Sequence, residues 1–170
     1  DEDPVKSKTA ITQLSNILRN SLTTDQKRVA RFEDEMKIVE DYLSLETIRY
    51  EERLQTKVVI DPNSYDFNIP PLMLQTLVEN GIKHGVSKLK KGGQLTITTI
   101  VNDNNLKIEI RNSGKLNNSA QSPNPEGGLG IINTTKRLKL IFGNNAHFSI
   151  KAETPDTVLT ELIIPKAQEI

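Results

Sequence analysis

The spacing of apolar residues changes at residue 55, and that change limits the folds open to this chain. Before it, the spacing is helical. Ile11, Leu14, Ile17, Leu18 and Leu22 form one stripe over residues 4–22, and Pro4 suits a first helical turn. After a break at Thr23-Thr24-Asp25, Phe32, Met36, Val39 and Leu43 step by three and four, with Tyr50 and Leu54 continuing the stripe. A second helix is therefore expected from Glu33 to about Arg53. Glu33, Asp34 and Glu35 suit its start, where the helix macrodipole is positive. Two amphipathic helices in a row are each marginal in water, so both need a partner surface.

Beyond residue 55 that surface is spelled out in short strands. Lys57–Ile60 reads as a strand ended by Asp61-Pro62-Asn63, and Leu72–Gly85, after Pro70-Pro71, reads as a helix. Leu95–Val101 and Leu106–Arg111 flank the turn signal Asp103-Asn104-Asn105. Residues 113–127 are polar and aperiodic, a long loop of the kind that often forms a lid. A glycine-rich turn opens a helix over Leu129–Ile141, and Phe148–Ala152 with Val158–Ile164 close the chain as a strand pair.

Composition removes several function classes. Lys plus Arg and Asp plus Glu balance at 22 each, which argues against a nucleic-acid binder. The absence of cysteine excludes disulfide scaffolds, thiolate zinc sites and thiol nucleophiles. Two histidines, His84 and His147, are too few for a His-only metal cage, and 4% aromatics too few for base-stacking platforms. No apolar run reaches the 18 or so residues that span a bilayer. The chain opens Asp-Glu-Asp-Pro, without a signal peptide, so a soluble cytoplasmic piece of about one domain with a helical extension is expected.

Three constellations carry chemistry. In Leu77–His84, Leu77, Val78 and Ile82 take the core side, while Asn80, Lys83 and His84, at i, i+3 and i+4, share the other. An amide oxygen, an ammonium and an imidazole together suit a hydrated magnesium and phosphate oxygens; a solvated helix face has the same pattern. Gly81, costly inside a helix, hints at close packing. Gly127-Gly128-Leu129-Gly130-Ile131 at a helix start offers N–H groups to an anion, or is an ordinary loop-to-helix turn. It matches neither the P-loop nor the Rossmann fingerprint. Asn112-Ser113-Gly114 at a strand end either floors a cleft or simply turns the chain.

In order along the chain these features resemble the LytS/YehU-type sensor histidine kinases. PPLMLQTLVENGIKHG at 70–85 looks like that family's N box, and Asn112–Gly114 falls at its Asp-x-Gly adenine motif. Gly128-Leu129-Gly130-Ile131, followed by Asn133, Arg137 and Leu138, looks like its last glycine box. LSNILRNSL at 14–22 and EDEMKIVEDYLSLETIRYEERL at 33–54 resemble the helices after its phosphoacceptor segment.

The resemblance implies an α+β fold: two N-terminal helices over 1–54, then over 55–170 a two-layer α/β sandwich of the GHKL (Bergerat) ATP-binding type with a mixed sheet. It implies ATP and Mg2+ as cofactors. Asn80 would ligate magnesium, Lys83 and His84 would approach the phosphates, and Asn112 would meet the adenine amine. Gly114 would admit the base, and Gly128 and Gly130 would line the triphosphate. Glu79 would polarise water or touch the metal, although it lies about 100° around the helix from Asn80. Thr160 is either a late adenine contact or a plain strand position. Partners implied are a second copy in a homodimer and a response regulator, with the membrane reached only through upstream segments. The parent would then be an inner-membrane protein with this part cytoplasmic.

Two departures from the family pattern stand out. Asn112 and Leu116 occupy positions where the pattern has Asp and Gly. Neither His84 nor His147 lies in the family's His-Phe-Leu-Phe-Asn phosphoacceptor context, so a fragment that does not phosphorylate itself is expected. The reading from sequence is the ATP-binding part of a histidine kinase. A nucleotide module without kinase activity and a purely structural interaction domain are the alternatives.

Overall fold

A computed structural model of the protein describes residues 29–116 and 128–166. The helix expected over 4–22 and most of the polar loop at 113–127 lie outside these residues. Within them the order is β1 (Ala30–Arg31), α1 (Phe32–Tyr50), β2 (Leu54–Val59), β3 (Asn68–Ile69), α2 (Met73–His84), β4 (Gly93–Asn102), β5 (Asn105–Ser113), α3 (Gly128–Phe142), β6 (His147–Thr154) and β7 (Thr157–Pro165). Short 3-10 turns follow α1 at Glu51–Arg53 and α2 at Val86–Lys88.

Five strands form one sheet in the order β2-β4-β5-β7-β6. The β2–β4 pair is parallel and the rest are antiparallel, so the sheet is mixed. A two-residue turn through Asp103, in the left-handed region at φ 51°, joins β4 to β5. Leu54, expected to extend the helical stripe, is instead the buried first residue of β2; the chain leaves the helix through Glu51, whose φ is also 51°.

Alternation along the strands sends Leu95 and Ile97 of β4 and Leu106, Ile108 and Ile110 of β5 to one face. Leu162 and Ile164 of β7 join them. Leu74, Leu77, Val78 and Ile82 of α2, Leu138 and Phe142 of α3, and Phe32, Met36, Val39 and Leu43 of α1 belong to the same buried cluster. The second helix of the sequence thus finds its partner surface in the sheet's own core. The opposite face carries a charge lattice. Glu109 and Glu161 stand directly opposite each other, and Lys107 bridges them at 2.8 and 2.9 Å. Arg111 ties Glu109 to Glu153 at 2.8 and 3.0 Å.

Ile97 is fully buried beneath the helices. Ile97→Ala is expected to lower unfolding stability by about 2–5 kcal/mol, read as an earlier urea midpoint at unchanged slope.

Candidate functional site

Each end of α2 is fixed by an unusual backbone. At its start Leu72 is left-handed at φ 58°, and its carbonyl accepts both the Thr76 N–H at 3.1 Å and the Thr76 hydroxyl at 2.7 Å. At its end the Gly85 N–H donates to the Gly81 carbonyl at 3.1 Å, and the chain turns away at φ −106°, ψ −93°.

At this second end the helix meets the end of β5. Gly114 has φ +136°, and a Cβ there would lie 2.8 Å from the Gly85 Cα. A Cβ on Gly85 would run into the Asn112 amide and come within 2.6 Å of the Ser113 carbonyl oxygen. A Cβ on Gly81 would lie 3.2 Å from Asn112 Oδ1, which accounts for a glycine inside the helix. Three glycines therefore admit one buried side chain, Asn112, which is 5% exposed. Its Nδ2 donates to the Ser113 carbonyl at 3.2 Å, leaving Oδ1 as the acceptor beside Gly81. The Gly114 N–H donates to the Asp156 carbonyl at 2.9 Å, which ties this corner to the β6–β7 turn.

A cavity of about 380 Å3 opens at the corner, lined by His84, Gly85, Lys88, Ser113, Gly114 and Asp156 among others. That volume lies within the range of small-molecule sites. Thr160 is buried on β7, opposite Ile110, and so shares the helix-facing side of the sheet with Asn112.

The polar residues of α2 fall into two stripes. Thr76, Asn80 and His84 repeat every four residues and run along one line of the helix. At its lower end Thr76 faces α3, where a Cβ on Gly130 would lie 3.0 Å from the Thr76 Cγ2. At its upper end His84 lines the cavity beside Gly114. Asn80 lies between them, half-buried. Gln75, Glu79 and Lys83 form the second stripe. The Gln75 amide donates to Glu79 at 2.6 Å, and Glu79 and Lys83 line a separate cavity with Tyr42, Glu46, Arg49 and Tyr50 of α1. Burial raises the pKa of both Tyr42 and Glu46 there. The single face expected for Asn80, Lys83 and His84 thus resolves into two, with Lys83 and Glu79 turned to α1.

Gly128 begins α3, and Gly130 lines a smaller cavity between α2 and α3 with Asn133, Thr134 and Arg137. Sequence reasoning did not single out Gly85 or Asp156. A second glycine four residues after Gly81 was the available signal for Gly85; Asp156 ties the corner through its backbone carbonyl, and a backbone acceptor leaves no signal in sequence. Among the described residues no three His, Asp or Glu side chains gather as a metal site, and none of the helices is long and apolar enough to cross a membrane.

Comparison with known proteins bears on the fold that carries this corner. The family described as Histidine kinase matches residues 1–54. The chain is 27% identical to the sensor protein LytS of Staphylococcus epidermidis over 98% of its own length and 30% of that protein's. It is 29% identical to the sensor histidine kinase BtsS of Escherichia coli, over 98% of its own length and 29% of the relative's. The chain therefore spans about a third of these relatives. Among solved structures, the catalytic domain of histidine kinase ThkA superposes with a TM-score of 0.60 at 20% identity, covering 81% of this chain and 95% of that one. The fold is that of histidine kinase catalytic domains, the GHKL fold.

Gly85→Ala should unseat the Asn112 amide and lower stability by about 1–3 kcal/mol, measured as a drop in Tm. An unchanged Tm would mean that the contact between α2 and β5 is looser than described.

Proposed function

We propose that this chain, a relative of the LytS-type sensor histidine kinases with the fold of their catalytic domains, binds Mg-ATP and presents its γ-phosphoryl group to a histidine other than His84 and His147. The supporting observation is the corner where Gly81, Gly85 and Gly114 close around Asn112 beside the larger cavity. Adenine carries an exocyclic amine that must donate. Asn112 Oδ1 is an acceptor, while Nδ2 of the same amide donates to the Ser113 carbonyl. Gly114 has no side chain to hold the ring off the backbone, and Thr160 offers a hydroxyl on the same side of the sheet.

His84 and Lys88 bring donors to one wall of the cavity. The Thr76–Asn80–His84 stripe leads from there toward the start of α3 at Gly128, and so suits an extended triphosphate. Asn80 would give its amide oxygen to Mg2+, which when bound neutralises phosphate charge. Magnesium keeps several waters and takes phosphate oxygens, so one protein ligand fits it without a carboxylate cage. The protein's contribution to phosphoryl transfer is then positioning and charge stabilisation.

In the parent protein the acceptor histidine would pass the phosphoryl group to an aspartate of a response regulator. The helical segment 1–54 would serve the homodimer only through surfaces other than the apolar face of α1, which packs into the core with the sheet, and the whole would be the cytoplasmic part of a membrane-anchored kinase. The names of the relatives, a sensor protein and a sensor histidine kinase, support the histidine-kinase part of this reading.

Calorimetric titration with ATP tests the site. The parent chain should bind more tightly with Mg2+ than without it, and Asn80→Ala should lose about tenfold of the Mg-dependent affinity with little change in Tm. Equal affinity in the variant and the parent, with and without Mg2+, would remove Asn80 from the site. Incubation with γ-labelled ATP should leave no acid-labile label on the 170-residue chain. Label on it would return His84 and His147 as acceptors.

A further inference from the structure

The nucleotide corner is at one end of α2; the other end is held by a buried carboxyl. Glu35 is fully buried, while every other buried side chain of α1 is apolar. Its Oε1 accepts the Leu72 N–H at 2.8 Å. Pro70 and Pro71 have no N–H, so Leu72 is the first residue of this segment able to donate. Leu72 is also the residue in the left-handed region, a conformation that a branched side chain holds only when its surroundings impose it. From the other side Arg137 of α3 donates to the Pro71 carbonyl at 2.9 Å. Residues 70–72 are thus gripped by both neighbouring helices, and the grip from α1 is a single side chain.

We propose that Glu35 is a positioning residue that clamps the start of α2 to α1, so that a displacement of α1 is transmitted along α2 to Asn80 and His84. The helix is 12 residues long. A shift imposed at Leu72 reaches Asn80 after about two turns and His84 after about three. The consequence for nucleotide rests on the reading of the site given above; the clamp itself does not.

Burial pushes the Glu35 carboxyl up to about 7, against the pull of the Leu72 and Leu74 N–H groups and of Arg137, and with the repulsion of Asp34. The charged groups acting on it are thus Asp34 on its own helix and Arg137 on α3. Its Oε2 has no hydrogen-bond partner. When the start of α2 opens, the carboxyl regains water and its ordinary pKa, so the open form binds fewer protons between the two values. Opening therefore becomes easier as pH rises from the usual carboxylate range to about 7, and then levels off. Between pH 5.5 and 7.5 the change in the opening equilibrium is on the order of tenfold.

Amide hydrogen exchange at Leu72, Leu74 and Thr76, corrected for intrinsic rates, reads the clamp directly on the whole chain. Wild type should lose protection there on the order of tenfold from pH 5.5 to 7.5. Glu35→Gln keeps an acceptor for the Leu72 N–H but cannot ionise, and should be flat over that range. Glu35→Ala should lose protection at every pH and weaken Mg-ATP binding severalfold. Should the alanine variant not fold, the glutamine variant still decides, because a pH profile like the wild type's would assign the titration elsewhere and overturn the clamp. Unchanged protection in a folded Glu35→Ala would overturn it equally. The exchange measured without nucleotide keeps the two readings separable. A flat Glu35→Gln profile in a chain that binds no ATP sinks the nucleotide site alone, and tight ATP binding with unaltered profiles sinks the clamp alone.

Discussion

Two backbones touch where α2 ends and β5 ends, and the site depends on that contact. A helix and a strand normally stand apart by the length of their side chains. Here Gly85 and Gly114 remove both side chains, and the space goes to a single amide, Asn112. A Cβ at either glycine meets backbone, or the Asn112 amide itself, at a distance no flexible tip can relieve. The close approach puts the floor of the sheet, the end of the helix and the β6–β7 turn within one hydrogen-bonded corner. The glycines of this segment are therefore spacing elements between packed layers, and Gly81, which lies against the same amide, belongs with them.

The elements themselves were largely legible from sequence, for a physical reason. The core stripes are regular: Phe32, Met36, Val39 and Leu43 are all buried, as their three-and-four spacing requires. The inner-face residues of β4 and β5 alternate with polar ones along most of their length. Boundaries moved where backbone sterics took over from periodicity. Leu54 fits the helical stripe in number, yet the left-handed Glu51 ends the helix three residues earlier and delivers Leu54 to β2. The site was legible in part. Residue types and their order led to Asn80, His84, Asn112 and Gly114 as candidates, and the spacing of Asn80 and His84 puts both on one line of α2. Sequence spacing also joined Lys83 to them, because 60° of helical rotation looks small on a wheel. Burial decides such cases, and a wheel does not contain the neighbour. With α1 packed alongside, the boundary between the two stripes falls between Asn80 and Lys83.

Glu35 was read from sequence only as an acidic residue at a helix start, and the reason is instructive. Glu33, Asp34 and Glu35 look equivalent in a favourable dipole. Only the rotation of the helix against α2 separates them, leaving Glu33 on the surface with Arg31 and Lys37 and turning Glu35 inward. Its main partner lies 37 residues on, in a segment whose two prolines have left one N–H unserved. A long-range pairing of a side chain with a backbone donor leaves no periodic trace, whereas the proline pair that creates the demand is plain to see.

The Asn112 corner shows what an amide needs in order to stand in a buried position that a carboxylate could also occupy. A carboxylate accepts at both oxygens and needs donors for both. An amide accepts at one atom and must place two hydrogens elsewhere. In a buried site each hydrogen needs an acceptor, and the Ser113 carbonyl, 3.2 Å from Nδ2, takes one of them. The same hydrogen bond fixes the orientation of the amide, since the reversed rotamer would set Oδ1 against the Ser113 oxygen. Orientation in turn leaves Oδ1 facing Gly81 as the acceptor. An amide at this position thus offers an acceptor without placing a negative charge in a buried corner, where desolvation penalises the ionised form.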